Sequence, residues 1–358
     1  MSISIAPVST GRGIKPQIGW LTVNRACNMR CGWCYAKGTE YKKEDDMSLE
    51  MARRLLNMMK PLGVRSITLI GGEPTLWDHL SEFNRLCREQ GVETTLVTNG
   101  TRLGMDQYWH EYQQSPCTRI GLSIKAFNEE SFICTTGTSG FELTRRGIAR
   151  ALSSKSCSAN IVYTGEDPDE LVKIARFAAE CGARSLGISP STPAYVNGKP
   201  DILHVSNPER FVDNIVRHYH ELNGLYEGRI NIAAKLPLCI WPKEFILTLI
   251  DRSQIITTCQ LQHRSGLLFD ADGKMISCNS LHDFPIGQLD QDFSDSASLK
   301  AHIASDQVVG FYDQVATYAS SRCQTCSMKK FCGGGCPLFY GAYDGAKLVI
   351  GWDETPAH

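Results

Sequence analysis

Short apolar runs rich in β-branched residues alternate with segments of helical periodicity through the first half of the chain. Six of these runs have the length and flanking turn residues of strands: 19–23, 66–70, 93–99, 119–125, 158–163 and 184–189. Apolar residues recur on one helical face after Ser48, and Pro61 and Gly63 end that pattern. A second helix is predicted over 167–181, with acidic residues at its start and Gly182 after its end.

Regular alternation of strands and helices predicts an α/β fold with a parallel sheet. Right-handed crossovers repeated six times curl such a sheet into a partial (β/α)6 barrel of the TIM type. Chemistry is then expected at the carboxyl ends of the strands.

Beyond residue 190 the pattern changes. A loop rich in Pro, Gly and Ser covers 189–200, and it precedes an amphipathic helix at 208–225 and a strand within 229–236. Residues 266–278 read as a hairpin that turns at Asp272-Gly273. These features predict an N-terminal segment 1–17, a barrel with bridging elements 18–239, and a small cysteine-bearing domain 240–358.

The balance of charge limits the classes of partner. The 358 residues include 37 Lys and Arg against 38 Asp and Glu, a net charge of -1, so we expect neither a nucleic-acid partner nor an anionic membrane surface. The first 17 residues lack the features of a secretory signal, and no stretch of about 18 apolar residues occurs. We therefore expect a cytoplasmic location.

Cysteine is unusually frequent, with 15 in the chain. In a reducing compartment, closely spaced cysteines indicate metal or redox chemistry more than disulfides. One group has the spacing C-x3-C-x2-C: Cys27, Cys31 and Cys34. Another has the spacing C-x2-C-x5-C-x3-C: Cys323, Cys326, Cys332 and Cys336. Cys259 and Cys278 flank the hairpin. The others read as small buried hydrophobes: Cys87, Cys117, Cys134, Cys157, Cys181 and Cys239.

The number of thiolates in each group constrains the metal. Three thiolates can hold three irons of a 4Fe-4S cluster and leave the fourth iron open, whereas a structural zinc site normally needs four ligands. The first group is therefore incomplete for zinc. The four cysteines of the second group satisfy zinc as well as an iron–sulfur cluster, so both interpretations stay open there.

Two motifs together resemble those of the radical S-adenosylmethionine (radical SAM) superfamily. The first is the triplet Cys27, Cys31 and Cys34 with Trp33 before its last cysteine, and the second follows strand two as Gly71, Gly72, Glu73 and Pro74. Alone, the second motif would also fit an ordinary strand-to-helix turn.

The resemblance implies both cofactors and a mechanism. The triplet would bind a 4Fe-4S cluster whose open iron chelates SAM, and the glycine-rich turn would approach the methionine amino group through its backbone. Reductive cleavage of SAM would then yield a 5'-deoxyadenosyl radical that abstracts hydrogen from the substrate.

The resemblance makes four residues candidates for contacts with SAM, although Lys125 departs from the acidic residue that is commoner in the family at the end of this strand. Ser123 on strand four corresponds to a residue that contacts the ribose, and Lys125 could reach the SAM carboxylate. Trp33 and Ile188 would pack on the adenine. The alternatives are polar residues at a strand end for Ser123 and Lys125, and a core position for Ile188.

The C-terminal cysteines resemble those of the SPASM domain, which carries two auxiliary 4Fe-4S clusters. This resemblance assigns Cys259, Cys278 and Cys336 to an inner cluster, and Cys323, Cys326 and Cys332 to an outer one. The family usually supplies a further cysteine after Cys336, and this chain has none.

Both auxiliary clusters thus lack a fourth ligand. The candidates for the outer cluster are Asp344, Asp353 and His358, although each also reads as a solvated tail residue. For the inner cluster, either Cys239 is the fourth ligand or the iron is open to substrate, and we favour the open iron.

The chain resembles radical SAM enzymes that mature ribosomal peptides, which implies a peptide substrate and a crosslink, thioether, epimer or backbone rearrangement as product. The 17 residues before strand one leave no room for a peptide-recognition domain of about 80 residues. We therefore expect either a separate leader-peptide recognition protein or a substrate without a leader, and a low-potential electron donor such as flavodoxin or ferredoxin. The alternatives are a small-molecule dehydrogenase or mutase, and a non-catalytic iron–sulfur carrier or zinc-stabilised binding protein.

Overall fold

The computed structural model describes residues 13–36, 42–154, 156–257, 259–315 and 320–353. Its strands are β1 Ile18–Asn24, β2 Ser66–Gly71, β3 Glu93–Thr98, β4 Arg119–Ile124, β5 Cys157–Tyr163, β6 Leu186–Pro190, β7 Ala194–Val196, β8 Lys199–Asp201, β9 Ile230–Ala233, β10 Ile255–Ile256, β11 Gly266–Phe269, β12 Lys274–Ile276 and β13 Gly287–Gln288. Its helices are α1 Leu49–Met59, α2 Leu80–Glu89, α3 Asp106–Gln114, α4 Glu129–Thr136, α5 Phe141–Leu152, α6 Pro168–Glu180, α7 Pro208–Leu225, α8 Lys243–Asp251, α9 Gln260–His263, α10 Ser296–Ile303, α11 Asp306–Val315, α12 Lys329–Cys332 and α13 Gly345–Leu348. None of the described helices is both long and apolar enough to cross a membrane.

Strands β1 to β6 lie side by side in chain order, and every neighbouring pair is parallel. The predicted α/β class and the partial barrel of six consecutive strands are therefore confirmed. Parallel order brings the carboxyl ends of all six strands to one edge, where the loops that follow them meet.

Local capping explains why the predicted helices begin and end where they do. The Ser48 side chain accepts the Met51 N–H at the start of α1, and Asn207 caps α7. Helix α6 is one residue shorter at each end than the predicted 167–181, because Asp167 and Cys181 are its capping residues.

The sheet continues past the six strands at both edges. Strand β9 pairs in parallel with β6, and β10 pairs with β9. At the other edge β11 pairs in parallel with β1, and it forms the predicted hairpin with β12. Segments on both sides of residue 240 thus share one sheet, and a domain boundary at that residue stays a prediction.

The two faces of the sheet differ in character. Ile124, Ile161, Ile188 and Ile232 pair across four strands, and all four are buried. Because side chains alternate along a strand, the residues that precede them point to the opposite face. That face carries the polar row Ser123, Asn160, Gly187 and Asn231, in which Asn160 is exposed.

Candidate functional site

The cysteine triplet lies in the loop directly after β1, at the carboxyl edge of the sheet. Cys31 is buried, and Cys27 and Cys34 are half-buried. The three share one apolar cluster, whose buried members are Met29, Cys31, Ala126 and Phe132. The Met29 N–H donates to Cys27 Sγ at 3.4 Å, and the Ala36 N–H donates to Cys34 Sγ at 3.4 Å. Backbone donors at sulfur suit iron-bound thiolates, so the donor set fits a 4Fe-4S cluster with one open iron.

Burial keeps the Cys27 and Cys31 thiols protonated when no metal is bound. The pKa of Cys27 is raised to about 12, mainly by burial and secondly by the negative charge of Glu73. Burial also raises the pKa of Cys31, while the positive charge of Lys125 opposes that rise. Because iron binds thiolates, loading a cluster here would release protons.

Gly71 and Gly72 lie where the end of β2 packs against the backbone after β1. A Cβ at Gly71 would collide with the Asn24 carbonyl, and one at Gly72 would collide with the Ala26 carbonyl. The Gly72 N–H donates to Asn24 O at 3.0 Å, and the Glu73 N–H donates to Ala26 O at 2.7 Å. The glycines therefore hold this turn against the base of the cysteine loop.

Glu73 is 1% exposed and joins the ends of β2 and β3. Its Oε1 accepts the Thr75 N–H at 3.1 Å, the Thr75 hydroxyl at 2.7 Å and the Thr98 hydroxyl at 2.6 Å. Its Oε2 accepts the Asn99 N–H at 2.8 Å. Pro74 begins the short 3-10 turn Pro74–Leu76, which this carboxylate caps. The side chain of Glu73 is thus a positioning group within the described structure.

A cavity of about 210 Å³ beside the cysteine loop is lined by Asn99, Ser123 and Lys125 among other residues. Lys125 Nζ donates to Ser123 Oγ at 2.8 Å. The Asn99 side-chain amide donates to Asn28 Oδ1 at 2.8 Å and lies 4.0 Å from Cys27 Sγ. The sequence analysis missed Asn99, although its place at the carboxyl end of a predicted strand was a usable signal.

Trp33 lies at a second cavity. It lines a cavity of about 180 Å³ with Cys34, Ser191, Thr192, Ala194, Asp201, His204 and Val205. Lys125 Nζ, from the first cavity, lies 5.9 Å from the centre of the Trp33 ring. No Lys or Arg is found among the described residues that line it.

Ile188 lies apart from the other candidates for SAM contacts. It is 1% exposed and belongs to the main hydrophobic core. Ile188 is in register with Ile124, through Ile161 on the strand between them. Ser123 is the residue before Ile124, so its side chain points to the opposite face of the sheet. The structure therefore supports the core alternative for Ile188, which does not line the cavity that contains Ser123 and Lys125.

One group of C-terminal cysteines consists of Cys259, Cys278 and Cys336. Burial, followed by the neighbouring Cys259, raises the pKa of Cys278 to about 11. Burial raises the pKa of Cys336 too, and its cysteine neighbours are Cys259 and Cys278. The structure thus brings together the three cysteines that the resemblance assigned to the inner cluster.

A second group surrounds a cavity of about 310 Å³ in the C-terminal region. The cysteines that line this cavity are Cys239, Cys323, Cys326 and Cys332. Burial raises the pKa of Cys323, and the nearby Cys239 and Cys326 raise it further. The sequence analysis considered Cys239 for the inner cluster, but the turn that carries it places it with the outer group.

The carboxylates considered for the outer cluster have other partners. Asp344 accepts the Ala346 N–H at 2.9 Å and caps α13. Asp353 accepts the Ser327 hydroxyl at 2.7 Å and the Ser327 N–H at 3.2 Å. His358 lies outside the described residues.

A buried ion pair links the cysteine loop to the C-terminal hairpin. Arg25 follows β1 and pairs with Asp270, which follows β11, and their side chains are 12% and 7% exposed. The Thr22 hydroxyl also donates to Asn279 Oδ1 at 3.4 Å, one residue after Cys278. The two cysteine regions are therefore joined along the seam between β1 and β11.

These features define a class of α/β protein, in which a partial parallel barrel presents a three-cysteine loop and a glycine-rich turn at one edge. Residues 21–178 match the model of the Radical SAM superfamily, so the protein carries a radical SAM domain. Proteins of this superfamily use a 4Fe-4S cluster and SAM.

Known proteins resemble this chain in part by sequence and over most of its length by fold. A "Probable GTP 3',8-cyclase" of Thermococcus kodakarensis is 26% identical over 164 residues, which cover 45% of this chain and 53% of that protein. The chain thus spans about half the length of this curated relative. Native anSMEcpe with bound AdoMet and Cp18Cys peptide matches with a TM-score of 0.68 and 18% identity, over 94% of this chain and 93% of that one. Streptococcus suis SuiB bound to precursor peptide SuiA matches with a TM-score of 0.65 and 17% identity, over 93% and 74%. At these identities the structures show a shared fold.

Proposed function

We propose that the protein is a radical SAM enzyme that removes a hydrogen atom from a peptide. The observation that carries this proposal is that three cysteines, the glycine-rich turn and a cavity whose lining includes Asn99, Ser123 and Lys125 lie at one edge of the barrel. With SAM and its cluster bound, reductive cleavage of SAM supplies the 5'-deoxyadenosyl radical.

The residues in and near the first cavity have distinct roles in this proposal. Lys125 provides a cation for the SAM carboxylate, and Ser123 provides a hydroxyl for the ribose. Trp33, whose ring centre lies 5.9 Å from Lys125 Nζ, offers an aromatic face for the adenine. Asn99 and Asn28 hold the loop around Cys27 through their amide hydrogen bond.

The surroundings of the second cavity support a peptide substrate. Ile202 and Leu203, which follow β8 directly, are 57% and 72% exposed, and they adjoin the lining residues Asp201 and His204. Exposed apolar side chains beside a cavity are typical of a site that binds apolar parts of a partner. The peptides bound to anSMEcpe and SuiB support the same choice. The product would be a crosslink, thioether, epimer or rearranged backbone.

A small-molecule substrate is the second candidate, because the curated relative is described as a nucleotide cyclase. A triphosphate requires Lys, Arg or backbone donors to balance its charge. The described lining of the second cavity carries Asp201 and no such cation, which favours a peptide over a nucleotide there.

The remaining parts of the proposal concern electron flow and partners. The two C-terminal cysteine groups would hold auxiliary 4Fe-4S clusters that accept electrons from the substrate radical. A flavodoxin or ferredoxin would reduce the first cluster, and a separate recognition protein would present a leader peptide. A cytoplasmic location would suit these oxygen-sensitive groups.

Anaerobic reconstitution followed by an assay for 5'-deoxyadenosine tests the proposal. The reduced protein should form 5'-deoxyadenosine from SAM, and Cys27→Ala should lower the rate at least about 100-fold, because the cluster loses a ligand. Cys134→Ala is the matched control, since Cys134 is exposed and outside both cysteine regions. No product from fully loaded wild-type protein would contradict the proposal. Stimulation by GTP in place of a candidate peptide would contradict the peptide assignment.

A further inference from the structure

Four cysteines line the C-terminal cavity, although the resemblance assigned only three to the outer cluster, namely Cys323, Cys326 and Cys332. Cys239 and Cys323 are each 6% exposed, and they pack with Val349 in one buried cluster. Cys326 and Cys332 line the same cavity of about 310 Å³. Cys239 comes from the turn between β9 and α8. It lies twenty residues before Cys259, the first cysteine of the SPASM-like pattern.

The backbone around Cys239 is fixed against the loop that carries the other thiols. The Leu238 N–H donates to Cys332 Sγ at 3.3 Å. The Cys336 N–H donates to Lys235 O at 2.6 Å, on the other side of the same turn. Gly335 lies so close that a Cβ there would be 2.8 Å from Pro237 N. The position of Cys239 is thus a packed feature of the fold.

We infer that Cys239 is the fourth protein ligand of the outer auxiliary cluster and replaces the cysteine that is missing after Cys336. This inference rests on the proposed auxiliary 4Fe-4S clusters. Asp344 and Asp353 are occupied by a helix cap and by Ser327. Cys259 and Cys278 belong to the separate inner group with Cys336.

The arrangement favours an iron–sulfur cluster over zinc. A zinc ion draws four thiolates to about 2.3 Å from a single centre. Across the described ranges, no three His, Cys, Asp or Glu side chains converge on one point in that way. Cysteines spread around the wall of a cavity suit a larger group, because each iron of a 4Fe-4S cluster takes its own thiolate.

Four cysteine ligands at the outer cluster would give the two auxiliary clusters different roles. An iron with four sulfur ligands has no position for a substrate, so the outer cluster would transfer electrons only. The inner group has three cysteines among the described residues, so an open iron in the auxiliary clusters would belong to the inner one.

The test uses full-length protein in which Cys27, Cys31 and Cys34 are all changed to Ala, so that only auxiliary iron remains. This background should bind about eight irons and eight sulfides per chain. Adding Cys239→Ala should lower the count to about four irons, or to about seven with the electron paramagnetic resonance signal of a three-iron cluster. Cys239→Ser keeps nearly the same volume and offers oxygen as a weaker ligand. It should retain about eight irons but alter the electron paramagnetic resonance spectrum of the reduced auxiliary clusters.

Two controls and a separate readout keep the outcome unambiguous. Cys87→Ala removes an equally buried thiol from the core beneath α2, and Asp353→Ala removes the competing carboxylate. Both should leave the iron count unchanged. The inference is overturned if Cys239→Ala keeps about eight irons and an unaltered spectrum, if Asp353→Ala loses the cluster instead, or if the site holds one zinc. Failure of the proposed function is distinct, because it appears as absent 5'-deoxyadenosine in wild-type protein that carries all its iron.

Discussion

At the scale of single residues, Glu73 shows how one buried carboxylate organises the edge of the sheet that carries the cysteine triplet. Its two oxygens accept four hydrogen bonds, from Thr75, Thr98 and Asn99. Hydrogen bonds to an ionised group are about twice as strong as neutral ones, which offsets the cost of burying the charge. The turns after β2 and β3 are thereby held at a fixed separation beside Cys27.

Glu73→Gln should destabilise the protein by about 1–3 kcal/mol. The amide fills the same space, but its NH2 group must face the Asn99 N–H or the two threonine hydroxyls, so buried donors lose an acceptor. The midpoint of urea unfolding measures this loss. Glu82→Gln, at an exposed position on α2, is the matched control and should change the midpoint little. An unchanged midpoint for Glu73→Gln would show that the hydrogen bonds of the carboxylate do not hold the turns.

Residue roles were predictable only where they depend on short spacing. The cysteine triplet and the Gly-Gly-Glu-Pro turn are local patterns, so the sequence alone was enough to single them out. Two of the partners of Glu73, Thr98 and Asn99, lie 25 and 26 positions away, and no local signal pairs them with it. The face of the sheet that Ile188 occupies depends on strand register, which a single strand does not reveal.

At the scale of elements, strand and helix limits followed from turn residues and caps, but the pairing of β11 with β1 did not. These strands are more than 240 residues apart in the chain, and parallel pairing leaves no hairpin signal. The buried Arg25–Asp270 pair crosses the same seam. Sequence analysis could recognise the β11–β12 hairpin, while only the three-dimensional structure shows what the hairpin packs against.

Asp270→Asn should cost about 3 kcal/mol or more in the free energy of unfolding, because it leaves the buried Arg25 guanidinium without a counter-charge. Chemical denaturation measures the change. Asp272→Asn in the same hairpin is the control, since that carboxylate is 52% exposed and its pair with Lys274 should contribute less than about 1 kcal/mol. Equal midpoints for the two variants would mean that the ion pair does not secure the seam.

At the scale of the whole molecule, one sheet connects the proposed site of radical formation with both auxiliary cysteine groups. The cysteine triplet extends from β1, and the inner group begins beside β11, the strand that pairs with β1. In the outer group, Cys323, Cys326 and Cys332 lie further along the chain, while Cys239 follows β9 of the same sheet and lines the same cavity. This arrangement separates the start of the reaction from the later transfer of electrons.

Cys323→Ala should therefore spare SAM cleavage in the absence of substrate while it prevents turnover of the peptide. The rate of 5'-deoxyadenosine formation should stay within about twofold of wild type, and the iron count should fall by up to four. Chromatography of the nucleoside and mass spectrometry of the peptide provide the two readouts. Loss of uncoupled cleavage would show that the outer cluster takes part in initiation.

The pairing of β11 with β1 also limits how the chain can be truncated or its C-terminal region replaced. If the chain ended before β11, residues 18–21 of β1 would become an unprotected sheet border, with amide and carbonyl groups free to recruit a strand from another molecule. Trp20 would then lie within that border. A shortened protein would be prone to self-association, and grafting a foreign C-terminal region would succeed only if the graft also supplied a strand that pairs with β1.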